Sequence, residues 1–450
     1  MRQILWFRRD LRVTDSAILS FAKKDVLPIF IFDENILSKL ASDDTRVTFI
    51  YEKVKKLKEE LKSIGLNLVI FYGKPIEIFS KLKSLGFDEV LCSTDFDYYS
   101  KVRDNEVEKI IPMQRFCDSF ILNPWEAVKQ DGTPYKVFTP FYKAQNFISQ
   151  SDEIELYKRN KYLNLIEDKS INFEDIPSLE SMGFVKQELP LFLTKSADIL
   201  IKEFIEKIDN YEVNRDYFYI DATSNLSVHL RFGVISPREL FNKVKALKND
   251  CEFFIRELFW REFYNTLLYH FPKSQFENFN SLQIEWNESK EDFEKWCKGQ
   301  TGVPIIDAAM RYFNKTGYMH NRLRMIVSSF LTKNLLVDWR KGERYFASKL
   351  LDYEASSNIG SWQWAASTGA DSVPYFRIFN PYTQSEKFDK DAIFIKSVLP
   401  QLKDVDSKFI HKENGVFKSL FVDYEKPMVS IRESRQRALQ TFKRAKNEKV

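Results

Sequence analysis

The sequence predicts a doubly wound α/β domain at residues 1–125 and a larger all-α domain at residues 196–450, joined by a long linker that wraps the surface. Two observations predict this division. In the first domain, short apolar runs alternate with amphipathic stretches, as in buried parallel strands that are separated by helices. Beyond about residue 190, apolar residues recur at helical spacing in nearly every stretch.

Five short apolar segments predict the strands of the α/β domain: 4–7, 27–32, 67–72, 89–92 and 114–119. Apolar residues at helical spacing between the second and third strands, and Pro75 after the third, predict connecting helices. No Gly-x-Gly-x-x-Gly follows the first strand, and no Walker lysine motif occurs. We therefore expect no Gly-rich loop for a dinucleotide or a nucleoside triphosphate.

Residues 126–195 are polar and interrupted by proline, which predicts a long irregular connection. In the all-α domain the apolar spacing predicts helices at 197–208, 237–247, 252–269, 290–297, 304–315, 321–333 and 342–351.

Composition restricts the classes of function. Hydrophobic content of 44% and charged content of 29% are typical of a globular protein in water. A net charge of only +4 means that a nucleic-acid site would depend on local clustering, and one candidate cluster comprises Arg311, Lys315, Arg322, Arg324, Lys333, Arg340, Lys341 and Arg344.

Cysteine and histidine usage points to a reducing compartment. The four cysteines form no Cys-x-x-Cys, and the four histidines lack metal-ligand spacing. The chain has no apolar signal region and no apolar run of membrane length. We expect a cytoplasmic monomer with no metal and no membrane partner.

Three segments concentrate groups that can do chemistry: 260–262, 319–325 and 358–369. They place carboxylates, amides, guanidiniums and tryptophans at helical spacings. Such groups could hold a flat redox cofactor on one side and an aromatic, anionic substrate on the other. Hydroxyls at residues 223–227, before a predicted helix, suit either an anion or an ordinary helix cap.

These segments resemble the signature segments of the photolyase/cryptochrome family of flavoproteins. The resemblance runs over nearly the whole chain, from residues 6–12 to 374–381. It implies that FAD is the cofactor and that its pyrophosphate is held near Tyr211, Thr223, Ser224, Asn225, Leu226 and Ser227. It also implies that the flavin ring is contacted by Arg324, Asp352, Glu354 and Asn358. Ala222 and Glu354 depart from the family, which usually has Gly and Asp at these positions.

Three tryptophans stand out by position. Trp362 is four residues from Asn358, so on a helix both face the same side. The resemblance implies that Trp362, Trp339 and Trp286 form a three-step electron relay from the surface to the flavin, whereas packing alone is the ordinary role of a buried tryptophan. Trp364 points elsewhere, which leaves it free to line a substrate cavity.

The substrate side is predicted on two helix faces. Glu257, Trp260 and Arg261 share one face by their spacing. The chain is most similar to class I cyclobutane pyrimidine dimer photolyases, and this implies that Glu257 hydrogen-bonds a flipped-out dimer. The same resemblance implies that stacking and other contacts come from Trp260, Arg261, Asn321, Arg322, Met325 and Trp364.

The resemblance implies light-driven repair of damaged DNA, in which excited reduced FAD gives an electron to the dimer, the ring splits and the electron returns. A cryptochrome-type photoreceptor and a (6-4) photolyase are the alternatives within the family. The (6-4) enzymes carry a histidine-rich segment where this chain has Asn321 and Met325. A single-strand nucleic-acid-binding module that uses aromatic stacking is the alternative from another class.

A second, antenna chromophore is possible. Members with a folate antenna often have an Asn-Glu pair before a basic-x-Arg-Asp sequence, whereas this chain has Tyr99 and Ser100 there. The sequence therefore argues against folate and leaves a deazaflavin, a flavin mononucleotide or no antenna open.

Overall fold

The computed structural model describes residues 1–151, 153–247, 251–418 and 422–447, which form two compact units. Unit 1 comprises Met1–Tyr135, Thr139–Asp209 and Ser224–Pro272, and unit 2 comprises Lys136–Phe138, Asn210–Thr223 and the described part of Lys273–Val450. The units interleave along the chain, so the domain boundaries predicted at residues 125 and 195 stay a prediction.

Unit 1 contains a parallel sheet of strands β1 to β6, which are Arg2–Phe7, Asp25–Asp33, Val69–Gly73, Glu89–Ser93, Met113–Phe116 and Asn164–Leu165. The first five lie in the order β3-β2-β1-β4-β5 and confirm the predicted doubly wound fold. The short β6 pairs with the start of β2 and was not predicted.

The sheet separates two apolar cores. Because side chains alternate along a strand, Leu5 and Phe7 of β1 enter one core, and Ile4 and Trp6 enter the other. The predicted linker wraps this sheet and adds buried side chains to both cores, namely Ile171, Leu179, Met182 and Phe184.

The helices α1 to α22 are, in chain order, Ala17–Phe21, Glu34–Leu37, Thr45–Ser63, Pro75–Ser84, Tyr98–Glu108, Phe138–Ala144, Asn146–Ser149, Leu191–Thr194, Ala197–Ile205, Tyr211–Asn214, Ser227–Arg231, Pro237–Lys245, Glu252–His270, Lys290–Lys298, Pro304–Thr316, Asn321–Ser329, Trp339–Lys349, Ala355–Ala366, Pro381–Phe388, Ile393–Val398, Ser407–Ile410 and Ile431–Asn447. Short 3₁₀ turns lie at Ile208–Asn210, Pro272–Gln275, Pro400–Leu402 and Gly415–Lys418. The predicted helical C-terminal part is confirmed.

Side-chain caps fix where two of the helices that carry predicted site residues begin. His320 precedes α16, and its Nδ1 accepts a hydrogen bond from the Arg322 N–H at 3.1 Å. Asp338 caps α17 in the same way through the Arg340 N–H at 3.0 Å, so this helix begins at Trp339, earlier than the predicted residue 342.

The helix predicted at 321–333 is not uniform. α16 ends at Ser329 and continues as a π-helical turn at Phe330–Asn334. The wider turn changes the direction of the side chains, and both Lys333 and Asn334 are completely buried. A strict 3.6-residue period cannot predict this turn.

Among the described residues, no helix is both long and apolar enough to cross a membrane. The same residues include no group of three or more His, Cys, Asp or Glu side chains arranged to hold a metal ion.

Candidate functional site

The predicted site residues are divided between the two units. Glu257, Trp260, Arg261 and residues 224–227 belong to unit 1, and all the others belong to unit 2. In unit 2 most of them lie on three consecutive helices, α16, α17 and α18, and on the turn that precedes α18.

Arg324 and Asp352, two of the predicted flavin contacts, form an ion pair. Arg324 Nη2 lies 2.8 Å from Asp352 Oδ2 and 3.0 Å from Oδ1, and its Nε donates to the Met319 carbonyl at 2.7 Å. Only 6% of the Asp352 side chain is exposed, so the carboxylate has a fixed charge partner in a mostly dry setting. The pair anchors α16 to the turn before α18.

Asn358 lies on the buried side of α18, and its amide group is oriented by α17. Its Nδ2 donates to Glu343 Oε1 at 3.0 Å and to the Glu343 carbonyl at 3.3 Å. Burial raises the pKa of the Glu343 carboxyl, which also accepts from the Tyr353 hydroxyl at 3.3 Å. In the described part of the chain, no donor reaches Asn358 Oδ1, which leaves an acceptor for a ligand.

The start of α18 supplies further polar groups. Glu354 is buried at the position before the helix and does not cap it with its side chain. Ser356 is also buried, and its hydroxyl finds no hydrogen-bond partner among the described residues. A buried hydroxyl and a free amide oxygen on one helix fit the polar edge of a flavin, because buried polar groups need partners.

Tyr211 and Thr223 are the other predicted cofactor residues of unit 2. Tyr211 is buried at the start of α10, with the Arg215 guanidinium 5.4 Å from its ring centre. The Thr223 hydroxyl is hydrogen-bonded to Tyr318, whose pKa burial raises to about 12. Thr223 is thus held in a defined position, and a pyrophosphate contact stays a prediction.

In unit 1 the segment 224–227 forms a tight turn before α11. Ser224 Oγ accepts from the Leu226 N–H at 3.4 Å, and Asn225 adopts a left-handed conformation with φ of +54°. Leu226 is fully buried, whereas Ser227 is exposed at the first position of α11. The turn presents hydroxyl and amide groups of the kind that bind phosphate.

Trp362 is 2% exposed and packs into the helical core. Its ring centre lies 5.1 Å from that of Phe346 and 6.0 Å from that of Trp296, both with edge-on geometry. Gly342 of α17 allows this position, because a Cβ there would lie 2.3 Å from Trp362 Cη2.

The other two predicted relay residues are Trp339, the first residue of α17, and Trp286, which lies in the segment before α14. Trp339 is fully buried, three residues before Gly342, and its Nε1 donates to Asn278 Oδ1 at 2.9 Å. Trp286 is half-buried and meets Phe442 edge-on at 6.2 Å. The Asn287 N–H donates to the Leu336 carbonyl at 2.6 Å, so the chain segments that carry Trp286 and Trp339 adjoin.

Trp296 is a candidate that the sequence analysis missed. It is fully buried, its Nε1 donates to the Val327 carbonyl at 3.2 Å, and it is the indole in ring contact with Trp362 within the described residues. Beyond it, Tyr345 is half-buried with its ring 5.9 Å away. The apolar face of α14 indicates that Trp296 is buried, but it does not predict the contact of Trp296 with α18.

The side chains of three successive residues of α18, Trp362, Gln363 and Trp364, lie in three different environments. Trp362 points into the core, whereas Gln363 bonds the 274–279 segment through the Phe279 N–H at 2.8 Å and the Ser274 carbonyl at 2.7 Å. Trp364 is half-buried, and no described residue pairs with its ring or accepts from its N–H. Its indole is available to a ligand.

The predicted substrate residues of α16 differ in how firmly their side chains are held by other residues. Asn321 and Met325 lie one turn apart, with Asn321 exposed and its Nδ2 3.9 Å from the Met325 sulfur. Arg322 is held by Asp216 at 2.5 Å and lies over the Phe388 ring at 4.4 Å. A phosphate contact from Arg322 would therefore have to compete with this ion pair.

The predicted residues of unit 1 share one face of α13, as their spacing indicates. Glu257, Trp260 and Arg261 are half-buried there, and Tyr264 continues the face with its ring 5.7 Å from that of Trp260. Tyr264 was missed, although its spacing of four residues from Trp260 signals it. Arg261 donates to the Ser119 carbonyl at 2.6 Å and lies over Phe120, which gives it a structural role in this unit.

Glu262 is distinct from its neighbours on α13. It is buried and accepts from the N–H groups of Ile121 and Leu122 at 3.0 and 2.9 Å, and burial raises its pKa to about 7. Glu262 therefore holds the segment after β5 against α13.

The basic cluster predicted between residues 311 and 344 is not one solvent-facing surface. Lys333 is buried, with its Nζ 2.7 Å from Ser367 Oγ and 3.5 Å from the Phe442 ring centre. Burial lowers the pKa of Lys333 well below its usual value. Other members are held by ion pairs, as in Arg324 with Asp352 and Lys341 with Glu288.

Two family sequence models match the chain. One, described as DNA photolyase, covers residues 3–155, and one, described as the FAD binding domain of DNA photolyase, covers residues 254–444. A protein from Alkalihalophilus pseudofirmus named deoxyribodipyrimidine photo-lyase is 35% identical over 98% of this chain and 97% of its own length.

Three solved structures have the same fold. A class III photolyase from Agrobacterium tumefaciens has a TM-score of 0.85 and 32% identity, covering 99% of this chain and 98% of that one. An archaeal photolyase from Sulfolobus tokodaii with two FAD molecules has a TM-score of 0.84 and 33% identity, covering 99% and 100%. A cryptochrome from Synechocystis has a TM-score of 0.86 and 25% identity, covering 98% and 99%.

The sheet, the helical FAD-binding domain and these matches together define a flavoprotein. The chain belongs to the photolyase/cryptochrome family.

Proposed function

We propose that this chain is a light-driven DNA repair enzyme that splits cyclobutane pyrimidine dimers. The observation that carries the proposal is the arrangement on α18. Within seven residues this helix offers a buried amide whose oxygen accepts from no described residue, a core indole, and an indole that pairs with no described residue, at Asn358, Trp362 and Trp364. A cofactor, an electron path and a stacked substrate base each require one of these groups.

The proposed cofactor residues form two groups, one for the pyrophosphate and one for the flavin ring. Thr223, Ser224 and Ser227, with the amides of Asn225 and Leu226, supply donors for a pyrophosphate, and Tyr211 lies near that segment in sequence. Arg324, Asp352, Glu354 and Asn358 supply the polar edge for the ring. When bound in its reduced form, FAD supplies the light-excited electron that opens the cyclobutane ring.

The substrate residues would receive a nucleotide that has left the helix stack. Photolyases belong to the enzymes that extrude their target, at a cost of about a few kcal/mol that is lower for a damaged base. Stacking on Trp260 and Trp364 would contribute about 1–3 kcal/mol per base, which offsets most of that cost. Glu257 would hydrogen-bond the dimer edge, and Asn321 and Met325 would also contact the dimer.

The relay residues would restore the active cofactor state. Trp362 would serve as the electron donor to an excited, oxidised flavin, and a neighbouring indole would serve as the donor to Trp362. Trp339 and Trp286 are the predicted neighbours, and the 6.0 Å contact favours Trp296 as a further donor. Electron transfer between indoles weakens steeply with distance, so an indole in ring contact with Trp362 has the advantage.

The test is repair of a defined lesion. Purified protein is incubated with an oligonucleotide that carries one cyclobutane thymine dimer, in blue light and in the dark, and the dimer remaining is counted by chromatography. Loss of the dimer in light alone is the expected result. Trp364→Ala should lower affinity for the damaged strand, whereas Phe147→Ala, at an exposed site of unit 1, should not.

The same assay separates the alternatives. Bound, reducible flavin without dimer loss would reject repair and favour a cryptochrome-type photoreceptor, which the Synechocystis match keeps open. Repair of a (6-4) product instead of the dimer would reassign the substrate. A protein that binds single strands but shows no flavin absorbance would be a nucleic-acid-binding module.

We also propose that the protein acts in the cytoplasm as a monomer. An antenna chromophore is possible in this chain, because the similar archaeal photolyase structure contains a second FAD. Absorption and mass spectra of extracted chromophores would identify any second chromophore, and folate is not expected because Tyr99 and Ser100 replace the usual pair.

A further inference from the structure

Positive charge is concentrated on the last described helix, α22. Its seventeen residues include one acid, Glu433, and six bases, which are Arg432, Arg435, Arg437, Lys443, Arg444 and Lys446. Six positive charges less one negative charge leave +5 on this helix, against +4 for all 450 residues. The remainder of the protein therefore carries a net charge of about −1, so the excess positive charge of the chain resides on this helix.

The inner face of α22 is firmly held within unit 2. Ala438, Phe442 and Ala445 are buried in an apolar cluster with Ile284 and Leu336. Asn334 of the π-helical turn bonds Ser434 Oγ at 2.9 Å, and the Asn334 carbonyl accepts from Arg437 at 2.7 Å. The helix is thus a fixed support for the charges on its outer side.

Four bases lie along one outer flank of α22. At 100° per residue, Arg432, Arg435, Lys443 and Lys446 fall within an arc of about 80°. All four are exposed, and within the described residues none makes an ion pair or a side-chain hydrogen bond. Glu433 lies on the other flank, and Glu413 meets the helix start through the Ile431 N–H at 3.3 Å.

The length of this flank suits a nucleic-acid backbone. Residues 432 and 446 are about 21 Å apart at a rise of about 1.5 Å per residue. One DNA strand presents a phosphate about every 3.4 Å of helix axis, so the flank spans about six phosphates.

The segment that follows α18 contacts both Trp364 and α22. The Val373 N–H donates to the Trp364 carbonyl at 3.3 Å, and Tyr375 stacks on Phe442 of α22 with ring centres 6.4 Å apart. The next two residues, Phe376 and Arg377, are exposed, Phe376 to 59%. An apolar ring and a guanidinium therefore follow directly on the residue that stacks on α22.

We propose that this flank of α22 binds the phosphate backbone of the DNA that adjoins the lesion. The proposal rests on the proposed function, because it extends the same DNA-binding surface. A membrane surface fits less well, since helices that bind bilayers insert an apolar face, and the apolar face of α22 is already buried.

The test is the salt dependence of DNA binding by the full chain. The variant replaces all four flank bases with glutamine, which keeps helix propensity and removes four charges. Its control makes the same change of charge in unit 1, at four exposed lysines: Lys62, Lys81, Lys83 and Lys109. Binding of a damaged and an undamaged duplex is measured from 50 to 300 mM salt, and circular dichroism checks the fold.

We expect the slope of log K against log salt to become shallower by about 0.9 for each phosphate that the variant no longer neutralises, hence by about 2–4 for the flank variant. The control should keep the wild-type slope. Equal slopes in variant and wild type would overturn the proposal. It would also fail if the flank variant lost binding to phosphatidylserine vesicles and kept its affinity for DNA.

Failure of the proposed function gives a different pattern. If the wild type repairs no dimer in light while the flank variant shows the shallower slope, the DNA surface stands and repair is rejected. If the wild type repairs dimers and the slopes are equal, repair stands and this surface is rejected.

Discussion

Replacing Gly342 with alanine should disturb the electron relay without touching a tryptophan. A Cβ on Gly342 would lie 2.3 Å from Trp362 Cη2, 2.5 Å from Trp362 Cζ3 and 2.6 Å from Leu331 Cδ2. Carbon atoms in contact are normally about 3.5–4.0 Å apart, so the indole has to move by about 1 Å or more. Both neighbours are buried and cannot swing into solvent.

The stability change follows from two opposing terms. Alanine is favoured over glycine by about 1 kcal/mol within a helix. Overpacking a core costs about 1–3 kcal/mol. Since the new atom would meet the rigid end of an indole, we expect the upper part of that range and a net loss of about 1–2 kcal/mol in the free energy of unfolding.

The assay combines thermal melting with photoreduction of bound, oxidised FAD under blue light in the presence of a thiol reductant. Gly342→Ala should lower the melting temperature and slow photoreduction. Arg344→Ala, an exposed change on the same helix, should alter neither.

A second substitution tests the cause. Phenylalanine lacks the far atoms of the indole, so Trp362→Phe in the Gly342→Ala background should recover stability, whereas photoreduction should be lost because the indole is gone. Wild-type melting and photoreduction in Gly342→Ala would refute this reasoning, and so would a double variant less stable than Gly342→Ala.

Three further changes test other parts of the site. Trp296→Phe should slow photoreduction several-fold if its contact with Trp362 carries electrons, and an unchanged rate would leave Trp339 as the sole donor. Glu257→Ala should lower the repair yield per photon with flavin retained, and Glu257→Gln should lower it less; equal yields in all three proteins would exclude a role for Glu257. Burial lowers the pKa of His320 from 6.5 to about 4, so the unfolded chain takes up the proton first and stability falls as pH drops from 6.5 to about 4, by at most about 3 kcal/mol. His320→Asn replaces the Nδ1 acceptor of the cap with an amide oxygen and should melt with less pH dependence, and the same pH dependence in both proteins would show that His320 does not titrate there.

The sequence predicted the sheet well because its strands are buried on both faces. An uninterrupted apolar run such as 27–32 has few alternatives to a central strand, and β2 spans Asp25–Asp33. The two-residue β6 has no pattern of its own, and it pairs only because the linker passes β2. Predicting that contact would have required the path of the linker.

The candidate site shows the same contrast. Spacing along a helix predicted which of Asn358, Trp362 and Trp364 share a side, and α18 has that geometry. Contacts between helices were not predictable, because nothing in the order of residues reveals that Trp296 of α14 meets Trp362. The prediction that Lys333 belongs to an exposed basic cluster was wrong for a related reason, because the π-helical turn buries this side chain.

The bond between Asn358 and Glu343 has a consequence for redox preference. Because α17 engages the amide nitrogen, the Asn358 side chain presents its carbonyl oxygen to whatever lies opposite. An acceptor stabilises a ring nitrogen that carries hydrogen and disfavours one that bears a lone pair. The protein would thereby bias a bound flavin toward hydrogen-bearing, electron-rich forms. Glu343→Leu removes the shorter of the two bonds to the amide nitrogen and keeps the 3.3 Å bond to the main-chain carbonyl, so it should relax that bias.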